Sequence, residues 1–176
     1  QKNGNNGCDN YYTPYSGGLG LPANKEIHEI DLQVIINAVA RIVESEGPIH
    51  LSEAIKRIIN TVGVSRAGSR IQKHIKMAVT FGSKKTKFHF SNDFIYLNAN
   101  KQVSIRDRSK LPSASRKIEI IPPEEIDAAI EKIVKESFSI SVDDAISGAV
   151  RILGIQRATE HITSTLSKRI ANLEQQ

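Results

Sequence analysis

The residues of this chain with the clearest chemical potential are cations set at helical spacing. Ser69, Arg70, Lys73 and Lys76 recur at intervals of one, three and three, with Arg66 one turn earlier. On a helix whose core face carries Ile71, Ile75 and Ala78, these side chains and Gln72 fall mainly on the outer faces. Arginine, lysine and serine presented together suit phosphate oxygens, and Arg, Ser and Gln can also reach base edges. Lys84, Lys85 and Lys87 follow at the start of an aromatic-rich stretch and suit backbone phosphate as well. Lysines there also protect an exposed strand edge, and the sequence does not separate the two roles.

Other chemistries find little support. Cys8 is the only cysteine, so neither an internal disulfide nor a cysteine-based zinc site forms within one chain. The five histidines show no metal-ligand spacing. No serine lies in a nucleophile-elbow glycine pattern, and no phosphate-binding loop of the Gly-x-x-x-x-Gly-Lys type is present. The sequence therefore predicts no catalytic residue, no metal and no cofactor.

The net charge is +5, but residues 66–87 alone hold seven basic residues and no acid, so the remainder of the chain is net negative. A second basic stretch, residues 101–117, carries six cations against Asp107. Such concentration suits a polyanion. Hydrophobic residues make up 39% and charged residues 24%, as in an ordinary globular protein, and no run approaches the ~20 apolar residues of a membrane span. A cytoplasmic location fits these features and the single cysteine. Because the chain starts at Gln1 without a methionine, it reads as part of a longer protein.

The elements that must position these residues come as an internal repeat. A shift of 91 residues (142 minus 51) aligns two blocks without a gap. Ala38 meets Ala129, Ile42-Val43 meets Ile133-Val134, and Ala54-Ile55 meets Ala145-Ile146. Gly63 meets Gly154, Arg66-Ala67 meets Arg157-Ala158, and Ile71 meets Ile162. In each copy the spacing predicts a first helix (roughly residues 32–44 in copy one), a short extended segment at Ile49-His50, and a second helix ending at a glycine C-cap. Pro122-Pro123 opens the first helix of copy two. Ser141-x-x-Asp144 resembles a capping box, with His50-x-x-Glu53 its weaker counterpart. The third helices are expected over residues 66–80 and 157–173. In copy one a β-hairpin then follows over residues 87–97, with its turn at Ser91-Asn92-Asp93.

Helix, short strand, helix, helix, hairpin is the winged-helix order. The expected fold is mainly α (α+β), a tandem of two winged-helix-like helix-turn-helix units, the first with a hairpin wing. Residues 1–25 read as an irregular arm rich in Tyr, Gly and Asn. Residues 26–97 read as the first unit, 98–121 as a basic connector, and 122–176 as a second, degenerate unit too short for a wing of the same length.

Four segments carry a family resemblance: Glu46-Gly47-Pro48-Ile49-His50, Ser65-Arg66-Ala67-Gly68-Ser69-Arg70-Ile71, Arg106-Asp107-Arg108, and Ile121-Pro122-Pro123-Glu124-Glu125-Ile126. Over residues 26–170 the chain resembles a C-terminal domain of unknown function, family 3320, found at the end of very large bacterial helicase-like proteins of superfamily I. The resemblance implies an accessory module, with ATPase and endonuclease-like domains elsewhere in an ATP-dependent parent protein, and the lack of ATPase and nuclease motifs here makes the expected module non-catalytic. No catalytic residue is established for that family, so none carries over.

The reading is a nucleic-acid-binding module that contacts duplex or forked DNA through Arg66, Ser69, Arg70, Lys73 and Lys76, with Lys84, Lys85 and Lys87 at the wing. Its rival is a protein-docking module within the same parent, joined to the ATPase and nuclease-like domains, since winged helices also serve as scaffolds. Neither reading involves a membrane.

Overall fold

A computed structural model describes residues 10–98, 103–137, 139–173 and 175. The protein is mainly helical with one small antiparallel sheet. Its helices are α1 (Leu32–Glu46), α2 (Leu51–Thr61), α3 (Ser69–Lys84), α4 (Pro123–Glu136), α5 (Val142–Ile152) and α6 (Glu160–Leu173). The strands are β1 (Ile49–His50), β2 (His89–Ser91) and β3 (Phe94–Tyr96), in the order β1-β3-β2. No helix among the described residues is long and apolar enough to cross a membrane.

The repeat is visible in the helix starts. Leu51 and Val142 open α2 and α5 at the same 91-residue displacement that relates Ser69 and Glu160, which open α3 and α6. Gly63 and Gly154 follow the second helix of each copy with φ of 73° and 69°, a left-handed conformation that glycine adopts without the Cβ penalty. Ser141 caps α5, its hydroxyl accepting from the Asp144 N–H at 3.1 Å while donating to the Asp144 carboxylate at 2.7 Å. At the matching start of α2 the His50 ring nitrogen accepts from the Ser52 N–H at 3.2 Å, and Glu53 pairs with Lys56 and Arg57.

The third helix differs from its expected span. It starts three residues later and runs four further, Ser69–Lys84 instead of 66–80. Arg66 and Ala67 belong to the preceding loop, and Gly68 takes the N-cap position in extended conformation. The added turn includes Gly82, which packs closely: a Cβ on it would lie 2.4 Å from the Phe88 ring and 3.1 Å from Ile36. Likewise α6 starts at Glu160, so Arg157 also precedes its helix.

By Cα packing the chain forms two compact units. One comprises the segment up to Tyr12, Ser104–Ile118 and Glu125–Gln176, and the other comprises Thr13–Val103 and Glu119–Glu124. In the second of these, Ile35, Ile36, Val39 and Ile42 of α1 are buried with Ile58 of α2 and Ile75, Ala78 and Val79 of α3. The sheet closes one side of this unit, β1 pairing Ile49 with Ile95 and β2 pairing Phe90 with Ile95. The hairpin turns at Asn92 and Asp93, both left-handed (φ 51° and 60°), which matches the twist of a two-residue hairpin loop. Glu46 at the end of α1 is buried and takes a bidentate pair from Arg57 at 2.8 and 2.9 Å, plus the Tyr15 N–H at 2.6 Å.

The other unit holds a buried carboxylate too. Glu125 is fully buried on α4 and accepts from both Arg108 Nη atoms (2.6 and 2.9 Å) and from Arg106 Nη2 (2.8 Å). Both guanidinium groups lie over the Tyr12 ring, 4.6 and 5.0 Å from its centroid. Burial pushes the Glu125 carboxyl up, but the Arg108 hydrogen bonds and the two arginine charges outweigh it and hold the carboxyl below its usual range. The basic character of residues 101–117 is therefore partly internal, since Arg106 and Arg108 face a carboxylate and an aromatic ring. Removing one member of such a buried cluster leaves uncompensated charge. Glu125→Ala is expected to cost about 3–5 kcal/mol, read as a lowered urea midpoint in circular dichroism.

Candidate nucleic-acid interface

Packing on α1 sets which side of α3 meets solvent. Ile75, Ala78, Val79 and Gly82 are buried, and at 100° per residue the opposite face carries Ser69, Lys73, Lys76, Thr80 and Lys84, all exposed. Arg70 and Gln72 are exposed on either side of it. Across residues 66–87 the exposed face carries no acid.

The cations of this run do not form one patch. Ser69, Arg70, Lys73 and Lys76 occupy the first two turns of α3, with Arg66 in the loop just before them. Lys84 lies in the last turn and Lys85 at the C-cap, about 16 Å along the axis from Lys73 at 1.5 Å per residue. Lys87 follows in the link to β2. These three lysines sit at the base of the hairpin, and its tip is Asn92-Asp93. Met77 and Phe81 lie between the two groups of cations, 44% and 46% exposed.

Local partners decide which cations are available. Among the described residues Arg66, Lys73 and Lys87 have no ion-pair partner. Arg70 Nη1 is 3.4 Å from the His28 ring nitrogen. Lys85 donates to the Gln33 side chain at 3.1 Å, and Lys84 lies 5.9 Å from the Phe81 ring centroid. Lys76 Nζ meets Asp93 of the hairpin turn at 3.0 Å. Both side chains of that last pair are more than half exposed, and such pairs contribute under about 1 kcal/mol. The charge run alone gave no sign that an acid from the hairpin tip approaches the helix.

Beside Lys73 and Lys76 the surface opens into a cleft of about 370 Å³. Its walls are the start of α2 with His50 (His50, Leu51, Ser52, Ile55), the start of α3 (Ser69, Gln72, Lys73, Lys76), and Asp93. Sequence reasoning missed this cleft, because it depends on the hairpin turn reaching back to α2, where the Leu51 N–H donates to the Asp93 carbonyl at 2.8 Å. The His50 ring packs edge-on against Phe94 with centroids 5.0 Å apart.

The profile of a protein family of unknown function, DUF3320, matches residues 25–73. That segment covers α1, β1, α2 and the start of α3 through Lys73, so it takes in the cationic first turn. The match stops well short of residue 170, to which the sequence resemblance extended. No curated protein and no solved structure matches the chain.

Burial lowers the His50 pKa most, Lys56 and Lys76 add to that, and Asp93 and Glu53 partly oppose it. The unfolded chain then binds its proton first as pH falls through 6.5, so folded stability declines from there down to the lower folded pKa and levels off below it. Asparagine caps a helix without titrating. His50→Asn is therefore expected to lose less melting temperature than the parent chain between pH 7.5 and pH 5, a difference measured by thermal circular dichroism.

Proposed function

We propose that the unit spanning residues 13–103 is a winged-helix-like, non-catalytic module that holds nucleic acid, and that it serves as an accessory part of a larger DNA-processing protein. The observation that carries this reading is the acid-free face of α3, where Ser69, Arg70, Lys73 and Lys76 stand exposed over two turns with Arg66 beside them. Phosphate contacts of this kind position a protein along a strand and carry little sequence information. The element order α1-β1-α2-α3-β2-β3 with sheet order β1-β3-β2 supports the winged-helix description. The placement beside helicase-like and nuclease-like domains rests on the sequence resemblance alone; the family match over residues 25–73 carries no function.

In this reading Lys84, Lys85 and Lys87 form a second, separate contact, because they lie at the hairpin base and not at its tip. Their contribution is additive to that of the first group.

Met77 and Phe81 favour a second reading, docking on a protein surface. Two half-exposed apolar side chains four residues apart add nothing to phosphate binding, and they suit a partner helix or groove.

Fluorescence anisotropy across a salt series separates these readings. The DNA reading expects micromolar binding with a log–log slope of about −0.9 for every phosphate neutralised. Reversing Arg66, Arg70, Lys73 and Lys76 to Glu is expected to weaken binding on the order of 100-fold at ~50 mM salt, and reversing Lys84, Lys85 and Lys87 to weaken it less. Unchanged affinity in the first variant, or no binding by the parent chain, sends the assignment to the docking reading.

A further inference from the structure

Phosphate tracking along α3 needs only an exposed cationic face, and it leaves the cleft beside Lys73 and Lys76 without a role. At about 370 Å³ the cleft lies at the small end of the range for small-ligand sites, room for one nucleotide. Its chemistry is divided. Leu51 and Ile55, both largely buried in the core, show their edges along an apolar wall, whereas Ser69, Lys73 and Lys76 line the α3 side.

A closed duplex cannot use both parts. Its phosphates run along a convex ribbon while its bases remain stacked inside, so nothing apolar reaches Leu51 and Ile55. An unstacked nucleotide carries both groups within one residue of the strand: a phosphate for the lysines and a flat apolar face for the wall. Lys73 has no ion-pair partner among the described residues, and Lys76 can exchange the exposed Asp93 carboxylate for a phosphate.

We propose that this cleft receives one unstacked nucleotide of a single DNA strand, with its phosphate against Lys73 and Lys76 and its base against Leu51 and Ile55. The module accordingly prefers single-stranded or forked DNA to closed duplex. This assignment rests on the reading of α3 as a nucleic-acid face, and it adds the strand form that the face selects. Asp93 opposes the incoming phosphate, so Asp93→Asn tightens single-strand binding.

The test uses the full chain, a short labelled oligothymidine and a blunt duplex of equal length. The oligothymidine is expected to bind about tenfold tighter than the duplex, as befits the burial of one base face. Ser69→Leu fills the cleft from an exposed position without altering charge, and it is expected to remove that preference. Independently of any variant, the Ile55 methyl resonance of the parent chain shifts on adding oligothymidine. Equal affinity for both forms, a preference that survives Ser69→Leu, or an unmoved Ile55 methyl overturns the cleft assignment while leaving phosphate tracking intact. Binding of neither form removes both readings together.

Discussion

The seating of α3 on α1 decides where the positive charge of residues 66–87 can stand. Ile75, Ala78 and Val79 are wholly buried, and Gly82 lets the Phe88 ring approach the helix backbone where a methyl group would collide. Those contacts fix the rotation of α3 about its axis. With rotation fixed, Ser69, Lys73, Lys76, Thr80 and Lys84 have only one side to occupy, the solvent side. The positive surface is thus a consequence of apolar packing. A helix free to roll by 100° would bring lysines towards the core and lose the surface together with the stability.

Charge and availability are different quantities in this chain. Residues 66–87 and 101–117 look alike as basic stretches, yet the second places Arg106 and Arg108 on a buried carboxylate and an aromatic ring. Desolvating a guanidinium is tolerable only with such partners, so these two arginines serve the fold. Arg57 plays a comparable part at Glu46. By contrast the α3 cations are exposed to water, and the one ion pair there among the described residues, Lys76 with Asp93, is exposed enough to be exchanged. What separates the two stretches is which elements pack over them.

Features set by local chemistry were legible in the sequence. The repeat predicted that α2 and α5 would match, and they coincide at both ends under the same shift. Gly63 and Gly154 read correctly as helix ends because only a left-handed residue fits there, and Ser141 read correctly as a cap. Other features depend on distant partners and were not legible. Nothing near residue 66 says that α3 waits until Ser69, and nothing in the lysine run says that Lys84 is a helix residue far from Lys73. The burial of Glu46 and Glu125 requires knowing that Arg57, Arg106 and Arg108 converge on them. The cleft is the extreme case, since its walls come from three chain segments brought together by the hairpin turn.

Hydrogen–deuterium exchange with and without a saturating single-stranded oligonucleotide tests the proposal that the first two turns of α3 hold nucleic acid. Added protection concentrated in peptides covering residues 49–56 and 62–76 is the predicted result, because these carry the start of α2, the loop with Arg66 and the cationic turns. Protection confined to residues 77–87, or to the α4–α6 segment, would overturn that proposal, as would a chain whose exchange is unchanged by the oligonucleotide.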